Sequence, residues 1–203
     1  TQYSPDSLPH PNARNAEERA ENILYLNEEI GFTIVKTPIS FHSPDFRRLA
    51  ENEGFAYTSY PIAPVARYPD NANGSLLTDK GLNYLINYVG KIKEIVGDKV
   101  GIAFDCGPGL TAIDALKFAK GVEPFNVMWL EDMVTGDYTP YSLAQVYRDI
   151  TQNTTTNIHT GEQVYLRQNF RELIETHAVN VVGPDPADVG GIAELSTPTC
   201  TAS

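Results

Sequence analysis

Cysteine is almost missing from this chain: two in 203 residues, Cys106 and Cys200. Two thiols cannot build the disulfide framework of a small secreted domain, and this pair has no metal-ligand spacing, so both are expected to be free. Basic residues are also scarce, with 15 Lys and Arg against 26 Asp and Glu and a net charge of -11. That balance argues against nucleic acid or an anionic membrane as partner, since both call for clustered positive charge. No apolar run approaches the roughly 20 residues that span a bilayer, and the polar, proline-containing N-terminus has no signal-peptide core. A soluble cytoplasmic protein is the expectation.

What the chain does have is a repeating alternation of strand-like and helix-like segments. A helix is predicted from Ala16 to Glu29, ending before Gly31, and the β-branched run inside Phe32 to Lys36 predicts a buried strand that stops at Pro38. Residues 37–78 form a long segment with five prolines, interleaved tyrosines and a weak helical signal at Phe46 to Ala50, a length that suits a lid over a substrate. Leu82, Leu85, Ile86, Val89, Ile92 and Val96 then follow helical spacing up to Gly97.

From there the unit repeats. Strands are predicted at Val100 to Asp105, Val127 to Glu131, Ile158 to Glu162 and Val179 to Asp185. Between them, helices are marked by Leu110, Ile113 and Leu116, by Leu143, Val146, Tyr147 and Ile150, and by Phe170, Leu173, Ile174 and His177. The acids closing these strands are 26, 31 and 23 residues apart, the length of a βα unit. With no hairpin signals, the pattern predicts a parallel sheet that right-handed crossovers curl toward a β/α barrel. A complete barrel takes about 250 residues, so the expectation is an incomplete one.

Asp105, Glu131 and Glu162 would converge at the same end of successive strands. One acid there often only caps a helix, but three would repel one another and raise their own pKa values unless a cation sat among them. A hard divalent cation such as Mg2+ takes such an oxygen set, with water and substrate filling the other positions. Strand alternation also places small Gly101 and Ala103 beside Asp105 on the crowded inner face and bulky Val100, Ile102 and Phe104 outside.

The segments GFTIVK (31–36), GIAFD (101–105), WLED (129–132), HTGE (159–162) and PDPADVGGIAEL (184–195) occur in an order and spacing that resemble the enolase superfamily, in its mandelate racemase and muconate-lactonizing branch. The resemblance covers about residues 20–195 and implies an incomplete TIM-like barrel, with strands about 2 to 6 present and the capping domain and last strands missing. It implies Asp105, Glu131 and Glu162 as Mg2+ ligands, with Asp132, on the opposite strand face, as a supporting or ion-paired group, although spacing alone leaves Glu131 and Asp132 exchangeable. The implied chemistry is α-proton abstraction from a carboxylic acid with stabilisation of the enediolate. Lys36 matches the first lysine of the family's Lys-x-Lys pair, but Pro38 stands at the second position, which weakens a two-base racemisation. Asp185 matches the sixth-strand acid that orients a histidine base in sugar-acid dehydratases, the alternative being a helix N-cap. The resemblance thus implies a galactonate-like aldonate or aldarate dehydratase acting in carbohydrate acid catabolism. Its alternatives are a racemase or cycloisomerase of the same fold and a non-catalytic scaffold fragment.

Further expectations concern single residues. Arg167 pairs with a substrate carboxylate or forms a surface salt bridge, and His42 either contacts substrate from the long loop or is an exposed bystander there. His159 is expected to pack on the face opposite Glu162, His177 to join the core, and Gly107 cannot supply the acid that some dehydratases place there. The partner is a small-molecule sugar acid, and the family implies a homo-oligomer. The domain expected is 1–195, followed by an aberrant tail at 196–203 that fits an out-of-frame translation; this partial chain is expected to bind Mg2+ weakly and not to turn over alone.

Overall fold

In a computed structural model of the chain, residues 7–39, 53–58, 75–107, 109–134 and 144–196 are described. His42, the segment Phe46 to Ala50, Cys200 and the tail from 197 onward lie outside them. Five strands, β1 (Ile34–Pro38), β4 (Gly101–Asp105), β5 (Leu130–Glu131), β6 (Ile158–Thr160) and β7 (Val181–Val182), pair in that order, every pair parallel. Helices run between them: α2 (Asp79–Val96), α3 (Ala112–Gly121), α4 (Ala144–Thr151) and α5 (Arg171–Glu175), with α1 (Ala16–Glu28) preceding β1 and the short α6 (Pro186–Val189) and α7 (Ile192–Ser196) closing the described chain. The sheet is not closed among the described residues.

The local chemistry of these elements is ordinary. Asn15, Thr78 and Thr111 cap α1, α2 and α3 by accepting from the backbone N–H three residues on, and Gly97 closes α2 at φ 65°, a conformation that favours glycine. In β1, Val35 and Thr37 are buried against the helix layer, whereas Ile34, Lys36 and Pro38 face the opening of the incomplete barrel. Pro38 costs the ladder nothing: the N–H that reaches β4 belongs to Ile39, which donates to Asp105 O at 2.8 Å, so a donor at 38 would face the free edge. The core lies between the sheet's outer face and the helices, where Ile102, Phe104, Leu130 and Ile158 meet Leu85, Ile92, Phe118, Tyr147 and Leu173. Each such side chain contributes about 1.5–3 kcal/mol by leaving water.

Three expectations are corrected. Residues 37–78 are not wholly irregular, because β2 (Ala56–Thr58) and β3 (Ser75–Leu77) form a separate antiparallel pair. Asp114 of α3 fastens this pair to the barrel by accepting from Leu77 N–H at 3.0 Å, and no turn signal could show a pairing of residues so distant in sequence. The apolar face of α3 carries Ala115, Phe118 and Ala119, while Ile113 is 69 % exposed. His177 is exposed at φ 50° just past α5, outside the core, because the helix ends at Glu175 and its periodicity does not extend that far.

Candidate metal centre

Parallel register places Pro38, Asp105, Glu131, His159 and Val181 in one row across the five strands, and the first three of these close β1, β4 and β5 at their C-terminal ends. Partners in register share a face, so Asp105 and Glu131 both turn toward the barrel interior. Lys36, two residues earlier on β1, lies on that face as well. Its Nζ donates to Glu131 Oε1 at 2.6 Å and sits 3.1 Å from Asp105 Oδ2. Half-burial pulls the Lys36 pKa down, but the hydrogen bonds and charges of Glu131 and Asp105 outweigh this and leave it raised. Lys36 is therefore held as an ammonium while it pairs with these two carboxylates.

Each carboxylate is held by a different means. Asp105 Oδ1 accepts from Gly107 N–H at 3.0 Å, where the glycine adopts φ 53°. Glu131 is only 3 % exposed, and its second oxygen, Oε2, accepts from the Trp129 indole N–H at 3.1 Å. Glu162 follows Gly161, whose φ of 134° no side-chain-bearing residue adopts comfortably. That residue ends β6 and turns the next side chains back toward the site. Strand alternation from His159 to Glu162 consequently fails, and His159 is not a packing residue on the far face. It lies beside Glu131, with Nδ1 3.5 Å from Oε2, its ring stacked on Trp129 at 5.5 Å between centroids. Burial lowers the His159 pKa, with Lys36 adding to the effect and the charges of Glu131 and Asp105 opposing it.

Asp132 is buried and has a left-handed backbone, φ 47°. Its Oδ1 accepts from the Thr160 hydroxyl at 2.7 Å, a contact consistent with a supporting position. Even so, oxygens of Glu131, Asp132 and Glu162 lie within 4.8 Å of one another, close enough for one cation. This group shares Glu131 and Glu162 with the set expected from the sequence and has Asp132 in place of Asp105. Either set offers only carboxylate oxygen, which fits a hard divalent cation. The sulfur of Cys106, next to Asp105, is no competitor, because burial and then the charges of Asp105, Asp132 and Glu131 push its thiol pKa well up.

Other candidates stand apart from this cluster. Asp185 is exposed and caps α6, Oδ1 accepting from Ala187 N–H at 2.7 Å. Arg167 pairs with Glu194, Nε to Oε2 3.0 Å, as in the surface-salt-bridge alternative. The sequence does not single out Trp129, because a bulky side chain also suits the helix-packed exterior of a barrel. Its place two residues before Glu131 on one strand was the available signal, since positions i and i+2 share a face.

Burial raises the pKa of Glu162 first, and the charges of Asp105 and Glu131 add to this while Lys36 opposes it. A carboxyl raised in the folded state stabilises the fold fully below the ordinary glutamate range. That contribution is lost as pH rises through the raised folded value. Thermal melts without divalent cation should accordingly fall across this interval for the native chain and fall less for Glu162→Gln; equal slopes would show that Glu162 is not the group responsible.

The model of the family described as "Enolase C-terminal domain-like" matches residues 77–197. A D-xylonate dehydratase of Haloferax volcanii is 34% identical over 148 residues, covering 72% of this chain and 34% of that protein. A D-galactonate dehydratase family member of Chromohalobacter salexigens is 31% identical over 146 residues, covering 68% and 35%. Among solved structures, a mandelate racemase/muconate lactonizing enzyme-like protein from Rubrobacter xylanophilus superposes with a TM-score of 0.67 at 25% identity, covering 89% of this chain and 39% of that one. The chain therefore spans about a third of the length of the curated relatives it matches. Among the described residues no helix is long and apolar enough to cross a membrane. With its five parallel strands and acid-bearing strand ends, the chain belongs to the enolase C-terminal domain-like family.

Proposed function

We propose that this chain is part of a Mg2+-dependent sugar-acid dehydratase, with Asp105, Glu131 and Glu162 holding the cation. The observation that carries the reading is the in-register pair Asp105 and Glu131, bridged by Lys36 at the C-terminal ends of parallel strands, where barrel enzymes build their sites. Asp105 is favoured over Asp132 because it shares Glu131's face, whereas Asp132 is engaged by Thr160. A bound divalent cation would draw electrons from a substrate carboxylate and make its α-proton easier to remove.

The chain's own residues have distinct parts in this reading. Lys36 occupies the cation's place as a charge partner and, once displaced, presents its ammonium to an anionic substrate rather than taking a proton. Asp185 would orient a base on a neighbouring strand through the oxygen that does not cap α6. Arg167 would bind a substrate carboxylate only by leaving Glu194, and His42 would contact substrate from the long segment. The names of the relatives, dehydratases of D-xylonate, D-galactonate and D-mannonate, support an aldonic acid as substrate.

The test is keto-acid formation from a panel of aldonic acids with Mg2+, using the chain alone and the chain extended to its relatives' length. The extended protein should turn over at least one acid, and the chain alone should bind metal without turnover. Failure of the extended protein on every acid would reject the dehydratase reading, while α-proton exchange with solvent deuterium but no water loss would favour a racemase.

A further inference from the structure

Trp129 is the only tryptophan in the chain, and its indole N–H donates to Glu131 Oε2 at 3.1 Å. The other oxygen, Oε1, takes the Lys36 ammonium at 2.6 Å. These two contacts differ in kind. Lys36 is a cation, so a divalent ion arriving at Oε1 competes with it directly. The indole is neutral and only donates, so it can keep Oε2 in place while Oε1 changes partner.

The indole is itself fixed. His159 stacks on it with an interplanar angle of 26°, and the same imidazole places Nδ1 3.5 Å from Glu131 Oε2. Behind the imidazole lies Gly183, just after β7, where a Cβ would stand 2.2 Å from His159 Nε2. Any larger residue at 183 would force the imidazole out of this position. Three successive strands thus contribute to the grip on one buried oxygen pair.

We infer that Trp129 is a positioning residue that fixes the Glu131 carboxylate for a divalent cation, with His159 and the space at Gly183 holding the indole in place. The inference rests on the proposed metal site and adds the group that sets its geometry. Partners outside the first ligand sphere typically contribute roughly 10- to 100-fold to metal affinity.

The test compares Mn2+ affinity, by electron paramagnetic resonance of the free ion, for the native chain, Trp129→Phe and Glu131→Gln, alongside thermal melts. Trp129→Phe keeps an apolar ring and loses only the donor, so its affinity should fall by roughly 10- to 100-fold while Glu131→Gln loses more. Gly183→Ala should weaken binding in the same direction. A second readout needs no variant: Mg2+ titration should change Trp129 emission with the midpoint found for cation binding. If the native chain binds and Glu131→Gln does not, yet Trp129→Phe binds as tightly as native, the positioning role is wrong and the metal site stands. Emission that stays constant through saturation likewise overturns it, a result that holds even if Trp129→Phe does not fold. No binding by the native chain rejects the metal site and the inference together.

Discussion

Glu131→Gln is expected to lower the affinity of the chain for Mg2+ by on the order of a hundredfold or more, above what loss of an outer partner costs. Glu131 is the most tightly specified carboxylate of the cluster: buried, in register with Asp105 and His159, and hydrogen-bonded through both oxygens to Lys36 and Trp129. It also belongs to the acidic group, with Asp132 and Glu162, whose oxygens lie close enough to hold a metal ion. Glutamine preserves its size and one acceptor but removes the charge a divalent cation requires. The fold should survive, because Lys36 keeps Asp105 as its partner and remains partly in water. Isothermal titration of native and variant chains with Mg2+ measures the effect; equal affinities would remove Glu131 from the site.

The largest effect on stability is expected at Phe118. Its ring is fully buried on α3 against the outer face of the sheet, so Phe118→Ala should cost about 3–5 kcal/mol. A domain has only about 5–15 kcal/mol in total, so this variant stands near the limit of folding. Ile113→Ala on the same helix should change stability by no more than about 0.5 kcal/mol, because Ile113 is 69 % exposed. Periodicity in the sequence marks Ile113 as apolar-facing, since it fits a spacing with Leu110 and Leu116 that does not include Phe118. Urea unfolding of both variants decides between the two faces. A large loss at Ile113 with a small one at Phe118 would mean that α3 packs in the rotation the sequence suggested.

The same comparison shows which parts of the structure were legible in the chain. Strands that carry an acid at their C-terminal end were visible because β-branched runs, helix caps and βα-length spacings all agree there. Side-chain direction was legible only where the strand is unbroken. At Asp105 and Glu131, alternation put both carboxylates on the inner face. Past Thr160 it fails, because Gly161 leaves extended geometry and Glu162 comes back toward Glu131, beside which His159 already lies in register. Trp129 was missed for a different reason: an aromatic residue suits a packed exterior, and nothing in its type announces a hydrogen bond to a carboxylate. The β2–β3 pair was hidden because its two strands lie on either side of a long intervening segment. Asp185 and Arg167 matched family positions in sequence, but each already has a local partner, Ala187 N–H and Glu194, that spacing could not reveal.

The most direct measurement is an anomalous-difference map from crystals of the chain grown with Mn2+ in place of Mg2+. The expected result is one peak within roughly 2.5 Å of oxygens of Asp105, Glu131 and Glu162, with Lys36 withdrawn and Asp132 still on Thr160. A peak ligated by Asp132 in place of Asp105, or no peak with Lys36 still between Asp105 and Glu131, would contradict it.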